Sequence, residues 1–237
     1  MRVQKYIADC GVMSRRAAEE AVAQGRVLIN GIPAKTGQPV LPGKDTVAVD
    51  GREARPASGK TYIMFNKPRG YVTTMADEQG RKCMADLLAQ AIPDKRLYPV
   101  GRLDLDSEGL LVCTDDGELA NRLMHPSHEV EKRYRVLIEG FASDEALTKL
   151  AQPVQLDGRD TVPAKVRLLT RNERSTLLEM TIFEGRNRQI RRICTSAELR
   201  VLRLRRTGEG RLRLGALHTG EWRYLSDGEI EYLKNIQ

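Results

Sequence analysis

Apolar positions come in short groups whose spacing changes along the chain. Val3, Tyr6, Ile7 and Cys10 recur at three- and four-residue intervals, which predicts an amphipathic helix over residues 2–10. Ser14 stands where it would cap a second helix, Arg15 to Gln24, and Gly25 where it would stop it. The pattern then becomes strand-like. Val27-Leu28-Ile29, the turn pair Asn30-Gly31, and Thr46 to Val49 closed by Asp50-Gly51 predict a small sheet. Residues 53–60 contain Pro, Gly and Ser without a period and read as a linker.

From Thr61 onward strands dominate. Predicted strands cover Thr61 to Phe65, Leu110 to Cys113, Tyr134 to Glu139, Ala164 to Leu169, Thr176 to Ile182 and an edge strand over Thr219 to Leu225. Helical spacing appears at Met84 to Ile92, Glu118 to Met124, Ser143 to Leu150 and in a closing segment capped by Ser226, with Ile230 and Leu233 on its buried side. The fold class this predicts is α+β. A small basic module (1–52) is joined by the linker 53–60 to a domain (61–237) on an extended, mainly antiparallel sheet with flanking helices.

Composition adds limits. With 237 residues, 41% hydrophobic and 30% charged, the chain can bury a core and is not a disordered polymer. The net charge of +7 matters less than its placement. Arg2, Lys5, Arg15, Arg16 and Arg26 are spread over the N-terminal module. Cations at a helix start oppose the helix dipole, so local stability does not explain Arg15-Arg16. A phosphate-binding face does, against the alternative of a solvated charged face. From Gly185 to Arg213 there are ten arginines, no lysine and two acidic residues, Glu198 and Glu209. Arginine suits bidentate phosphate contact and base stacking, so an Arg-rich helix from near Asn187 points to nucleic acid, against the alternative of a decorated solvent face. The N-terminus lacks an apolar signal core, and no apolar run nears the roughly 18 residues of a membrane span. The scattered Cys10, Cys83, Cys113 and Cys194 read as reduced thiols of a cytoplasmic protein. His125 and His128 are three apart, but Pro126 between them and the lack of a third ligand argue against a metal.

The candidate chemistry lies in Val100-Gly-Arg-Leu-Asp-Leu-Asp-Ser-Glu-Gly-Leu-Leu-Val112. Asp104 and Asp106 occupy a turn-like run, Arg102 precedes them, and Gly109 closes the turn before a buried strand. Loops held by a buried scaffold carry catalytic groups. The alternative is a solvated acidic turn. Asn66-Lys67-Pro68-Arg69-Gly70-Tyr71 is a second turn with two cations beside a tyrosine, able to hold phosphate or merely to join strands.

Two resemblances sharpen this picture. Ser14-Arg15-Arg16 with Gly25-Arg26-Val27-Leu28-Ile29-Asn30-Gly31 resembles the RNA-binding domain named after ribosomal protein S4, over about the first 50 residues. Residues 61–237 resemble bacterial ribosomal RNA pseudouridine synthases of the small-subunit/large-subunit family that carries such a domain. The resemblance rests on Gly101-Arg102-Leu103-Asp104 through Leu111, with Asn66-Lys67-Pro68-Arg69-Gly70, Leu123-Met124-His125-Pro126, Glu131-Lys132-Arg133-Tyr134 and Glu184-Gly185-Arg186-Asn187-Arg188-Gln189-Ile190-Arg191-Arg192 in support. The run from Gly117 to Glu131 leans to members acting on large-subunit (23S) rRNA. Cys194 to Leu199 and Glu209 depart from the family pattern.

The resemblance implies isomerisation of uridine to pseudouridine in rRNA, without a cofactor, by a monomer that needs no membrane. It implies Asp104 as the catalytic carboxylate, Tyr134 stacked on the target base and Arg191 as the basic partner of Asp104. Asp106 would be non-catalytic. RNA contacts would come from Arg2, Lys5, Arg15, Arg16, Arg26, Lys67, Arg102, Arg186, Arg188 and Arg192. The rival reading is a non-catalytic RNA-binding or ribosome-assembly protein, for which Asp104, Tyr134 and Arg191 would be unnecessary. A hydrolase using Asp104 and Asp106 ranks last, lacking a second aligned acid or metal cluster.

Overall fold

The computed structural model describes residues 1–56, 58–124 and 130–236. Two short helices and a small sheet open the chain. α1 (Val3–Asp9) buries Val3, Tyr6 and Ile7, the positions its spacing selects. α2 (Arg15–Ala23) starts at Ser14, whose hydroxyl accepts the Ala17 N–H at 3.1 Å. Such a cap contributes about 1 kcal/mol. The helix buries Ala18, Ala21 and Val22 and leaves Arg15 and Arg16 exposed. β1 (Val27–Ile29) and β2 (Ile32–Pro33) form a hairpin through Asn30 and Gly31, both at positive φ (52° and 80°), as a primed turn requires. β3 (Val47–Val49) and β4 (Arg52–Glu53) complete a sheet ordered β2-β1-β3-β4. Val3, Ile7, Ala21, Val27 and Val47 form the fully buried centre of this module.

The large sheet begins with β5 (Tyr62–Lys67), buried along its whole length. It is followed by α3 (Met84–Ala91), β6 (Tyr98–Val100), β7 (Glu108–Thr114), α4 (Gly117–Met124), β8 (Lys132–Glu139) and α5 (Asp144–Leu150). β9 (Gln155–Leu156) and β10 (Arg159–Asp160) make a separate hairpin. Then come β11 (Lys165–Arg171), β12 (Ser175–Ile182), α6 (Gln189–Ser196), β13 (Val201–Glu209), β14 (Leu212–Arg213), β15 (Trp222–Tyr224) and α7 (Asp227–Lys234). The main path of the nine-stranded sheet is β11-β12-β8-β13-β7-β5-β15, with β14 on β13 and β6 on β7. β12, β8 and β13 pair antiparallel, and β13 meets β7 in parallel through Arg205↔Glu108 and Arg206↔Gly109. All seven residues of β7 are buried, so both faces of this central strand are covered, which fits the apolar run Leu110 to Cys113.

β7 begins two residues before the expected Leu110. Glu108 can enter the buried strand because Arg203 on β13 reaches its carboxylate at 2.6 and 2.7 Å. Gly109, at φ +112°, is the only residue type that fits its position. A Cβ there would collide with the Arg206 backbone, 2.7 Å from its nitrogen.

The chain divides into two compact units. One comprises Met1–Thr61, Leu87–Tyr98 and Thr114–Gly117, and so includes the expected linker. The other holds Tyr62–Asp86, Pro99–Cys113 and the described residues from Glu118 onward. Among the described residues, no helix is long and apolar enough to cross a membrane.

Candidate active site

The loop between β6 and β7 carries Asp104 and is fixed almost entirely through its backbone. Thr73 clamps Leu103, its hydroxyl donating to the carbonyl at 2.6 Å and accepting from the N–H at 3.2 Å. The Gly70 N–H donates to the Leu105 carbonyl at 2.8 Å, and the Ser107 N–H to the Asp104 carbonyl at 3.1 Å. Beneath the loop lies Lys67, at the end of β5. Its ammonium donates to the carbonyls of Asp104 (3.1 Å), Ser107 (3.0 Å) and Pro68 (3.1 Å).

Lys67 corrects an expectation. It is 0% exposed, so its charge serves the loop and does not reach RNA. Burial lowers its pKa to about 8, while the carboxylates of Asp104, Asp106 and Glu108 pull the other way. The three carbonyl bonds also favour the ammonium, which is therefore the form at neutral pH.

Two arginines from the start of α6 converge on the loop. Arg188, the residue before the helix, adopts a left-handed backbone (φ 49°, ψ 31°). Its guanidinium donates to both carboxylate oxygens of Asp106, at 3.1 and 2.9 Å. Arg191 donates from Nη2 to the Asp106 carbonyl at 3.0 Å, and its Nε lies 3.2 Å from the Asp106 carboxylate. The expected partnership of Arg191 with Asp104 is thus replaced by one with Asp106. The cation nearest Asp104 is Arg188, with Nη1 3.9 Å from Oδ2. Burial resists ionisation of Asp106, but the Arg188 hydrogen bonds and the Arg191 charge outweigh it and hold its pKa below the usual carboxylate range. The Asp104 carboxylate, 26% exposed, accepts no hydrogen bond from the described residues.

Tyr134 lies on β8 opposite Arg206 of β13 and is only 7% exposed. Burial raises its pKa, a shift that the neighbouring Arg206 moderates, so the phenol stays protonated. Arg206 itself is 2% exposed. It donates from Nε to the Leu110 carbonyl at 2.7 Å, lies opposite Tyr134 in the strand register and is 3.6 Å from Glu209. Glu209, which departs from the family pattern, here supplies the counter-charge to a buried guanidinium.

The remaining expected RNA contacts separate into two groups. Arg2, Arg15, Arg16 and Arg102 are exposed and Lys5 is half-buried, while Arg26 is bonded to Asp50 at 2.7 and 2.5 Å. Arg186 instead binds Glu184 and donates to the carbonyls of Leu156, Arg159 and Asp160, pinning the β9–β10 hairpin. Arg192 makes a bidentate pair with Asp157 at the turn of the same hairpin. His125 and His128 lie outside the described residues, among which no group of acidic, His and Cys side chains could hold a metal.

Sequence reasoning missed Thr73, the inward role of Lys67, the Arg188–Asp106 bond and the Arg206–Tyr134–Glu209 group. The alternation of β8 and β13 could have paired Tyr134 with Arg206. The apolar run before Lys67 was a signal for its burial; the Thr73 and Arg188–Asp106 bonds are contacts across distant loops, for which one sequence carries no signal.

The RNA pseudouridylate synthase family matches residues 61–196, and the S4 domain matches residues 1–45. The chain is 40% identical over 238 residues to ribosomal large subunit pseudouridine synthase B of Bacillus subtilis (strain 168), covering 99% of this chain and 96% of that protein. It is 37% identical to the dual-specificity RNA pseudouridine synthase RluF of Salmonella typhi, covering 97% of this chain and 77% of the relative. A crystal structure of a pseudouridylate synthase superposes with a TM-score of 0.68 at 30% identity, covering 98% of this chain and 99% of that one.

Proposed function

The chain belongs to the RNA pseudouridylate synthase family and carries an S4 domain, and on that premise we propose that Asp104 is the carboxylate through which it converts uridine to pseudouridine. One observation carries the assignment. The Asp104 carboxylate accepts no hydrogen bond from the described residues, while the backbone around it is bonded to Thr73, Gly70, Lys67 and Ser107. A free carboxylate on an immobilised loop can be presented to substrate without reorganisation.

The reaction breaks the bond from ribose C1′ to uracil N1, turns the uracil, and joins C1′ to C5. C5 loses a proton and N1 gains one, so no oxidant, reductant or energy source enters. Asp104 acts at the ribose, as nucleophile at C1′ or as base at C2′, and both roles use the ionised group. Tyr134, opposite Arg206 on the neighbouring strand, offers a flat ring face on which the loosened base stays stacked while it turns. The target must leave its stack first, which costs a few kcal/mol and favours weakly paired sites. Arg2, Lys5, Arg15 and Arg16 supply sequence-independent binding to phosphates, and Arg102 supplies it beside Asp104, while Arg26 is engaged by Asp50.

Similarity to ribosomal large subunit pseudouridine synthase B supports large-subunit rRNA as substrate, and we propose that a monomer modifies it in the cytoplasm. Carbodiimide primer extension on rRNA from cells with and without the gene tests this. The expected result is a pseudouridine stop lost from large-subunit rRNA and restored by the wild-type gene. An unchanged large-subunit map would overturn the substrate assignment.

A further inference from the structure

A shallow hollow of about 370 Å³ lies between the last turn of α6 and the start of β13, with Arg188, Arg191, Glu198, Leu199 and Arg200 in its lining. It adjoins the loop that carries Asp104, because Arg188 and Arg191 line the hollow and also bond to Asp106. Glu198 is the one acidic residue of the described lining. Its backbone is left-handed, with φ at 62°. The Leu199 N–H donates to the Cys194 carbonyl at 2.9 Å and the Glu198 N–H to the Thr195 carbonyl at 3.0 Å, the closure by which a helix ends on a left-handed residue. Glycine is the ordinary residue at such a place, where a Cβ is disfavoured. A carboxylate there also faces the negative end of the helix dipole. Local stability therefore does not explain Glu198, and neither does charge balance. Arg188 and Arg191 are turned to Asp106 and Arg200 to Glu139, while the Glu198 carboxylate forms no ion pair or hydrogen bond with any described residue.

We infer that this hollow is a subsite for a guanine of the substrate RNA near the target uridine, with Glu198 as the residue that selects it. The inference rests on the reading of rRNA as substrate given above, and it adds a determinant of which uridine is chosen. An ionised carboxylate only accepts hydrogen bonds, through two oxygens side by side. Guanine alone among the four bases offers two adjacent donors to match them, at N1 and at the 2-amino group. Adenine and cytosine set a ring acceptor beside their amino group, and uracil flanks its single donor with carbonyl oxygens. Bases splayed out of an RNA loop stack on guanidinium planes and are read along their Watson–Crick edges. Arg188 and Arg200, both exposed, supply such planes, and the half-buried Leu199 an apolar wall. The same guanidinium groups offset the repulsion between a lone carboxylate and the RNA backbone.

Inosine lacks only the 2-amino group of guanosine, so it deletes one of the two donors. The test uses the fragment around the uridine that mapping finds modified, in rRNA of either subunit, with each nearby guanosine replaced in turn by inosine. The readout is single-turnover release of tritium from RNA containing 5-³H-uridine, at subsaturating enzyme. For the wild-type protein, one of these replacements is expected to slow release about tenfold. In Glu198→Gly the same replacement should change the rate by less than about twofold, while the melting temperature stays equal or rises, since glycine suits this backbone. Glu198→Gln, which keeps the side chain's shape and removes its charge, should also lose most of the ratio and covers a failure of Glu198→Gly to fold. A structural role for Glu198 would instead lower the melting temperature and leave the ratio in place. A wild-type ratio below about twofold at every guanosine, or a ratio that persists in Glu198→Gly, overturns the inference. Asp104→Asn measured alongside keeps the claims apart. Activity in Asp104→Asn removes the catalytic assignment, whereas an inactive Asp104→Asn beside a wild-type protein indifferent to inosine removes this inference alone.

Discussion

Arg15 and Arg16 stand exposed on the first turn of α2, and neither is paired with a carboxylate among the described residues. In the stretch from Gly185 to Arg213, by contrast, Arg186, Arg188, Arg191, Arg192, Arg200, Arg203 and Arg206 all have carboxylates or carbonyls within reach. Arg211 lies over the Tyr232 ring. The same residue type stands unpaired on the first turn of α2 and is drawn into bonds with carboxylates and carbonyls in the second region, even where it is exposed, as at Arg200 and Arg203. A guanidinium carries five N–H donors in a rigid fork, which suits carbonyl groups at a hairpin as well as phosphate. Arginine density therefore marks RNA contact only where the side chains are left over after the fold has used what it needs.

The sharpest way to break this contrast is at Lys67, a buried cation that the sequence motif of its turn assigns to RNA. Lys67→Met leaves three carbonyls without their donor and is expected to cost about 3–5 kcal/mol in a denaturant titration. Turnover should fall with Kd for RNA changed less than about twofold. A large loss of affinity with stability intact would return Lys67 to the RNA surface. The pH dependence adds a second sign. With its pKa lowered by burial to about 8, below that of an ordinary lysine, the folded protein sheds this proton before the unfolded chain does. The contribution of this group to stability therefore rises with pH across that window, while activity falls above about pH 8 as one N–H donor is lost. Both trends should be absent in Lys67→Met.

Gly109→Ala comes next. The added methyl meets the Arg206 backbone where β7 and β13 lie closest, and the positive φ adds strain. The expected loss is roughly 3 kcal/mol, read as a lowered denaturation midpoint. The joint replacement Arg15→Ala/Arg16→Ala should leave stability and saturated turnover unchanged, weaken RNA binding about tenfold, and flatten the salt dependence of binding by about one to two units of slope. The smallest effect belongs to Arg192→Ala. Its solvent-exposed pair with Asp157 is screened by water, so stability should hardly change, and the salt slope should not move. A salt slope that changes with Arg192 and not with Arg15 and Arg16 would reverse the comparison.

Local signals were legible wherever one segment decides its own structure. Ser14 and Ser226 both cap the helices assigned to them, and Asn30-Gly31 makes its hairpin. The α+β class and the edge position of Trp222–Tyr224 followed from strand spacing. The site was legible as a loop and a short set of residues but not as a circuit. Which carboxylate Arg191 would face depends on where α6 begins relative to a loop some 85 positions away, and that is set by the packing of β13 against β7. Lys67 followed a run of apolar residues, and its burial could have been inferred had the strand been extended by two positions.

The central claim is that Asp104, left free on a fixed loop, does the chemistry while the arginines beside it are held by Asp106. The most direct measurement is single-turnover tritium release by Asp104→Asn at saturating enzyme, with RNA affinity and melting temperature recorded on the same protein. The expected result is a rate reduced by at least about 10⁴-fold with the fold intact and Kd within about threefold of wild type. A rate within tenfold of wild type in that variant would contradict the claim.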